Sequence, residues 1–265
     1  MTGTTRPWGG GAVTARAQCV LAPNPSPMTL EGTNTWVLLE PGGEQAVVVD
    51  PGPLDEGHLR RVLDVVRQHG ARVSATLLTH GHLDHSEGAA RFATLSGSPV
   101  RALDPALRLG EEGLAEGDVV RAGGLVLEVV ATPGHTADSL SFLLPADAAV
   151  LTGDTVLGRG TAVVAHPDGR LEDYLASLER LRSLTASGAA TSVLPGHGPA
   201  LRNAVAVLEG YLAHRRERLE QVRAALAAGA RTPREVVERV YADVDRALWP
   251  AAEQSVRAQL EYLAG

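Results

Sequence analysis

Residues Thr79-His80-Gly81-His82-Leu83-Asp84-His85 place three imidazoles and a carboxylate within six positions, directly after the apolar run Ala75-Thr76-Leu77-Leu78-Thr79. That run reads as a short buried strand. If the extended backbone continues through the motif, His80 and His82 share a side, because alternate strand residues point the same way. Asp84 shares their parity, but the chain must turn near it. Imidazole nitrogen and carboxylate oxygen both suit zinc. The bland alternative is a set of surface histidines on a loop. It requires H-x-H-x-D-H to arise by accident, which happens in roughly 5 × 10⁻⁴ chains of this composition. A metal-binding scaffold is the expectation.

Three later segments repeat the pattern of an apolar strand, a glycine-containing turn and a ligand-type residue. They are Ala131-Thr132-Pro133-Gly134-His135, Leu151-Thr152-Gly153-Asp154 and Leu194-Pro195-Gly196-His197. A capped turn accounts equally well for any one alone. Together they suggest loops gathered at one end of a rigid scaffold, where sites are assembled.

The remaining periodicity supplies that scaffold. Strands are expected at 14–21, 33–39, 45–50 and 75–79, then at 119–120, 125–130, 140–144, 148–151 and 191–194. Residues 1–12 are Gly- and Thr-rich and expected to fray. Leu59, Val62, Leu63 and Val66 recur at helical spacing, with Gly70 as the stop, and Leu171, Leu175, Leu178 and Leu181 mark a second helix. Ser86 is a candidate cap for a helix between them. The order suggests two mixed sheets face to face with helices outside. From Ala204 onward the chain turns Ala-, Arg- and Leu-rich. A long helix runs to about Ala228, and Thr232-Pro233-Arg234-Glu235 is a capping box that opens the next.

Composition narrows the chemistry. The chain contains no lysine, which excludes Schiff-base catalysis. Its single cysteine, Cys19, excludes an intramolecular disulfide and reads as a strand residue rather than a nucleophile. No stretch approaches the roughly 20 apolar residues of a membrane span, and no signal peptide is visible, so a cytoplasmic protein is expected. The net charge is -7. Residues 1–199 carry 14 Arg against 22 acidic residues, and residues 200–265 carry 10 against 9. An acidic body argues against broad nucleic-acid binding and leaves the tail as the candidate surface for it.

Asp50, His80-x-His82-x-Asp84-His85, His135, Asp154 and His197 match, in order, the five loop motifs of the metallo-β-lactamase superfamily, which this chain resembles over roughly residues 13–200. The resemblance implies an α/β, four-layer αββα metallo-β-lactamase sandwich in residues 1–202, followed by a small helical, winged-helix-like domain in residues 203–265. It implies two Zn²⁺ per chain, with Mn²⁺ or Fe²⁺ as possible substitutes. One would be held by His80, His82 and His135 and the other by Asp84, His85 and His197, with Asp154 bridging. Asp50 would orient the metal loop, and Asp84 and Asp154 would take part in catalysis beside a metal-bridging hydroxide. Seven ligand side chains exceed the needs of one tetrahedral zinc but suit two that share a carboxylate.

Departures from other branches of the superfamily narrow the reading. Penicillin-cleaving di-zinc enzymes have Cys where this chain has Asp154. Flavodiiron proteins replace the residue equivalent to His82 with Glu. A β-CASP domain has no room in the 42 residues between Asp154 and His197. The chain is most similar to the β-lactamase-like protein 2 family, through Thr33-Asn34-Thr35, Val49-Asp50-Pro51-Gly52, Leu171-Glu172-Asp173-Tyr174, Leu194-Pro195-Gly196-His197-Gly198-Pro199 and Tyr211-x-x-His214-Arg215-x-x-Arg218. That likeness implies a zinc-dependent hydrolase, with single-strand endoribonuclease as the leading substrate expectation. A glyoxalase II-like thioesterase, or an ester or lactone hydrolase, is the alternative. The partner is therefore single-stranded RNA or a small-molecule ester or thioester, with no membrane. His214, Arg215 and Arg218 are candidate substrate contacts or a solvated helix face. Tyr174 is a candidate contact or a core residue, and His166 a candidate pocket residue. His58 and His69 are expected to be solvent-exposed.

Overall fold

The computed structural model describes residues 7–265. Its first sheet comprises β1 (Gly11–Ala12), β2 (Ala17–Leu21), β3 (Asn34–Leu39), β4 (Gln45–Val49), β5 (Arg72–Leu77) and β6 (Val100–Arg101), ordered β1-β2-β3-β4-β5-β6. The second comprises β7 (Val119–Ala122), β8 (Leu125–Ala131), β9 (Leu140–Leu144), β10 (Ala149–Gly153), β11 (Ser192–Pro195) and β12 (Leu201–Arg202), ordered β12-β11-β10-β9-β8-β7. Both sheets are mixed: β4, β5 and β6 run parallel, as do β10 and β11, and the other pairs are antiparallel. Of the segment expected to fray, residues 1–6 lie outside the described range, whereas Gly11 and Ala12 pair with β2.

Strand alternation builds the layers. Trp36, Leu38, Val47, Val49, Ala75 and Leu77 face inward and meet Leu127, Val129, Leu140, Phe142, Leu144 and Leu151 of the opposite sheet. Their neighbours Val37, Leu39, Ala46 and Val48 face outward under Leu59, Val62, Leu63 and Val66 of α1 (Glu56–Gln68). Burial on both faces explains why β3 and β4 read as continuous apolar runs instead of alternating ones. On the far side Val150 and Val193 pack under α4 (Leu171–Ala186) and the first half of α5 (Ala204–Ala227). Between β5 and β6 lie a single helical turn, α2 (Leu83–Ser86), and α3 (Ala89–Ser96). Ser86 does not cap α3; it ends α2, and its hydroxyl donates to the carbonyls of Gly81 and His82.

The tail is helical throughout, with α6 (Pro233–Val240) and α7 (Trp249–Ala264) after α5. Thr232 Oγ1 accepts from Glu235 N at 3.2 Å and Glu235 answers by accepting from Arg231 N at 2.6 Å, closing the capping box one residue early. Val222 and Ala225 leave the sandwich layer and join Val236, Val237, Trp249 and Val256 in a separate small core. α5 is thus shared: its first half belongs to the sandwich and its second half carries the tail. No helix among the described residues is long and apolar enough to cross a membrane.

Candidate metal centre

β4, β5, β8, β10 and β11 all release their chains at one edge of the sandwich, and each delivers a ligand-type side chain there. Asn34 holds that edge together. Its backbone N donates to Gly196 O at 2.7 Å, and its buried amide donates to Pro195 O and Gly198 O at 2.9 and 2.8 Å. Sequence reasoning met Asn34 only as part of a family motif; its role is to tie the His197 loop to the opposite sheet. Leu140 N likewise reaches Thr79 O across the sandwich.

The H-x-H-x-D-H segment is not a continued strand. β5 ends at Leu77, and the helical turn α2 begins at Leu83, so Asp84 and His85 lie on a helix while His80 and His82 precede it. Two groups of ligand atoms result. His80 Nε2 and His135 Nε2 each lie 3.1 Å from His82 Nδ1. Asp84 Oδ2 lies 3.2 Å from His197 Nε2 and 3.4 Å from His85 Nε2, and the two imidazole nitrogens are 3.3 Å apart. Ligands about 2.05 Å from a tetrahedral zinc are about 3.3 Å from each other, so both groups have the span of a coordination sphere. Asp154 lies between them. Its carboxylate is 3.2 Å from His197, 3.4 Å from His85 and 3.8 Å from His135, and its Oδ1 is buried with no hydrogen-bond partner. A buried, unpartnered carboxylate oxygen surrounded by imidazoles is what a cation would satisfy, so these residues fit a binuclear metal site.

The far nitrogens of the rings are pinned. His80 Nδ1 contacts Thr79 Oγ1 at 3.0 Å, His135 Nδ1 donates to Val163 O at 2.7 Å, and His197 Nδ1 to Gly32 O at 3.2 Å. His85 Nδ1 meets Asp50 Oδ2 at 2.8 Å. Asp50 also accepts from Thr79 N and Oγ1 at 2.8 and 2.7 Å, so one carboxylate orients both ends of the motif. Asp50→Asn should weaken metal affinity about 10- to 100-fold. Competition against a chromophoric chelator measures this, and an unchanged affinity would show that the loop is held by other means.

Electrostatics separate the two groups. Burial, followed by the neighbouring His85 and His135, holds His80 well below the ordinary imidazole value, and burial also lowers His135. These rings present free lone pairs. Burial opposes charge on His85 and His197 too, but Asp154 and Asp50 hold His85 well above its ordinary value, and Asp154 with Asp84 raises His197 to about 9. Despite burial, His197 and His85 keep Asp84 at about 2 and Asp154 well below the carboxylate range. A cation entering this half displaces protons from two imidazoles that already sit beside ionised carboxylates.

The five candidate substrate contacts fall differently. Tyr174 is fully buried, its hydroxyl donating to Thr155 O at 2.6 Å, so it is a core residue that does not line the cleft. His166 faces Glu261 of α7 at 3.5 Å instead of the cleft. His214, Arg215 and Arg218 do line the cleft beside His135 and Asp154. Their neighbour Arg216 is exposed and pairs with Glu179 at 3.2 Å.

His69 is exposed as expected, but His58 is completely buried, with Nε2 2.8 Å from Thr35 Oγ1. It lies one turn before Val62 and two before Val66, on the apolar stripe of α1. Burial lowers it to about 4. Since the folded value is the lower one, the unfolded chain takes up the extra proton, and stability present above about pH 6.5 is lost as pH falls toward 4. The loss at pH 5 is about 2 kcal/mol. Urea unfolding of His58→Gln should show a correspondingly smaller drop between pH 7 and pH 5 than the parent, and an identical drop would contradict this assignment.

The comparisons agree with the geometry. Residues 28–197 match the family described as the metallo-beta-lactamase superfamily, and residues 232–264 match the beta-lactamase associated winged helix domain. The Beta-lactamase-like protein 2 homolog of Caenorhabditis elegans is 31% identical over 253 residues, covering 92% of this chain and 82% of that protein. The Atrochrysone carboxyl ACP thioesterase of Aspergillus fumigatus is 32% identical over 241 residues, covering 84% and 72%. A beta-lactamase domain protein of Burkholderia ambifaria superposes with a TM-score of 0.82 at 24% identity, covering 99% of this chain and 91% of that one.

Proposed function

Since the chain belongs to the metallo-β-lactamase superfamily, we propose that it is a binuclear metal-dependent hydrolase whose substrates are acyl thioesters or related esters. The observation that carries the reaction class is Asp154, whose buried carboxylate lies within 4 Å of imidazoles from both ligand groups. In this reading His80, His82 and His135 would hold one ion and Asp84, His85 and His197 the other, with Asp154 within reach of both groups. The nitrogen and oxygen donor set favours zinc, with Mn²⁺ or Fe²⁺ as substitutes. When bound, such ions polarise a carbonyl and bring the pKa of a water down to about 7.

The chain's own groups supply the rest. Asp84 and Asp154 are ionised throughout the neutral range, so both offer carboxylate oxygens to a cation or to the hydrogens of an attacking water. The backbone anchors on His135, His197 and Asp50 keep the donors in place without rearrangement. A thiol has an ordinary pKa of about 8.5, so a thiolate leaves without a proton donor, whereas the amine of an opened lactam needs one.

The cleft supports a small acyl substrate. Its volume is about 370 Å³, and its lining brings His135 and Asp154 together with the apolar side chains of Met28, Leu30, Val244, Leu248 and Ala252. That is the size and the apolar character of an ordinary small-molecule pocket. The thioesterase name borne by the Aspergillus fumigatus relative accords with it. RNA cleavage, the leading expectation from sequence, keeps support from Arg215 and Arg218 on the wall. However, among the described residues Tyr241 is the one Phe, Tyr or Trp ring lining the cleft, which gives successive bases little to stack on.

The test compares zinc-loaded protein with its Asp84→Ala variant on an S-acyl glutathione thioester and on single-stranded RNA. The expected result is thioester turnover that falls at least about 10²-fold in the variant, with RNA left intact. RNA cleavage that disappears in the variant would install the nuclease reading, and thioester turnover that survives the substitution would remove the proposed one.

A further inference from the structure

Arg215 occupies a helix position that the sequence pattern reserves for an apolar side chain. Along α5 the buried stripe runs Leu208, Tyr211, Leu212, Arg215, Leu219 and Val222. Arg215 is 4% exposed, and its guanidinium stacks 4.7 Å above the Tyr174 ring and donates to Ala162 O. No carboxylate lies within ion-pairing distance among the described residues, and its Nε is buried without an acceptor. A buried charge that lacks a counter-charge is costly, and it persists only where something else requires it.

The adjoining groups have the same character. Arg218 Nε points to His214 Nε2 at 3.4 Å, which makes that nitrogen the acceptor and places the ring proton on Nδ1. His214 Nδ1 is a second buried donor with no acceptor. Burial, then Arg215 and Arg218, keeps this imidazole below its ordinary value and therefore neutral. Arg218 spends one nitrogen on Gln221 Oε1 and Val240 O, both at 2.8 Å, and lies over the Tyr241 ring at 4.8 Å, again with no carboxylate partner among the described residues. Arg159, elsewhere on the same cleft, is different: it pairs with Glu31 at 2.8 Å. One wall of the cleft therefore carries two uncompensated guanidinium charges and two orphaned donors, in the same cavity as His135 and Asp154.

We propose that His214, Arg215 and Arg218 form an anion subsite that receives an acidic group of the substrate, while the apolar walls hold the chain between that group and the metal centre. An ionised carboxylate or phosphate is acceptor-only and fits a wall built only of donors. The acidic group is either a carboxylate on the acyl part or a phosphate on the thiol part of the thioester. This refinement rests on the thioesterase reading for the bond cleaved, but not for the binding of the anion.

The experiment has a binding arm and a turnover arm, both on the zinc-loaded full chain. In the first, glutarate and inorganic phosphate are titrated calorimetrically into the parent, Arg215→Gln, Arg218→Gln and Arg216→Gln. The expected result is affinity weakened about 10-fold or more in each of the first two variants and unaltered in Arg216→Gln, which lies off the cleft. Arg218→Gln preserves the test should Arg215→Gln fail to fold. In the second arm, succinyl is compared with butyryl on a neutral N-acetylcysteamine thiol, and butyryl-coenzyme A with butyryl-N-acetylcysteamine. A preference for succinyl that falls at least about 10-fold in the Arg218 variant locates the anion on the acyl part. The same fall for the coenzyme A preference locates it on the thiol part. Equal anion affinity in all four proteins, or equal weakening in Arg216→Gln, overturns the subsite. Weakened binding without any thioester turnover sustains the subsite and removes the thioesterase reading.

Discussion

Gly196→Ala should lose metal binding and hydrolysis together, with kcat/KM falling at least about 10²-fold. A Cβ at this position would lie 2.4 Å from Asp154 Oδ1, 2.8 Å from His85 Cε1 and 3.0 Å from the carbonyl carbon of Gly153. The backbone cannot retreat, because Gly196 N donates to Gly153 O at 2.8 Å and its carbonyl accepts from Asn34 N at 2.7 Å. Displacing Asp154 or His85 by even 1 Å takes a ligand out of coordination range. Gly210→Ala is the control. A Cβ there meets nothing within 4 Å, and the site is exposed on α5, so it should be neutral or stabilise by up to about 1 kcal/mol. Metal content and circular dichroism of the two variants separate a local steric effect from general unfolding. A Gly196→Ala protein that binds two ions at the parent's affinity would contradict the packing described for Asp154.

Asp154→Ala tests the role of the shared carboxylate. With that side chain gone, both ligand groups keep three donors each but lose the oxygen atoms between them, and the imidazoles of His85, His135 and His197 lose a negative neighbour. Turnover should fall at least about 10³-fold, and the protein should retain no more than one tightly held ion after dialysis. Two ions and turnover within tenfold of the parent would mean that the two groups work independently.

Much of this centre was legible in the chain because ligand chemistry is a matter of residue type and strand-end position. His80, His135, Asp154 and His197 carry both marks, His82, Asp84 and His85 follow His80 within one motif, and the structure gathers all seven at one edge. The local path was not legible: the change from extended chain before His80 to a helical turn at Asp84 depends on where β5 stops. His58, Arg215 and Tyr174 illustrate a second difficulty. Each lies at i+4 spacing within an apolar stripe, with Val62, Leu219 and Leu178 respectively, so burial was implicit in the period. Their polar character argued for exposure, and period outweighed it in all three, although Arg215 still reaches the cleft. His166 had no such signal, because its partner Glu261 is 95 positions away in the sequence and only tertiary packing brings them together. The substrate readings shifted for a related reason. Arg215 and Arg218 looked like part of an exposed basic face, whereas the tail closes over them and makes the wall of an apolar cavity.

Metal analysis of the purified chain after zinc loading and exhaustive dialysis bears most directly on the two-group arrangement. The predicted result is two zinc ions per chain, with hydrolysis abolished by chelation and restored as the second equivalent returns. One ion or none at saturation, or hydrolysis that survives complete removal of metal, would contradict a binuclear centre joined through Asp154.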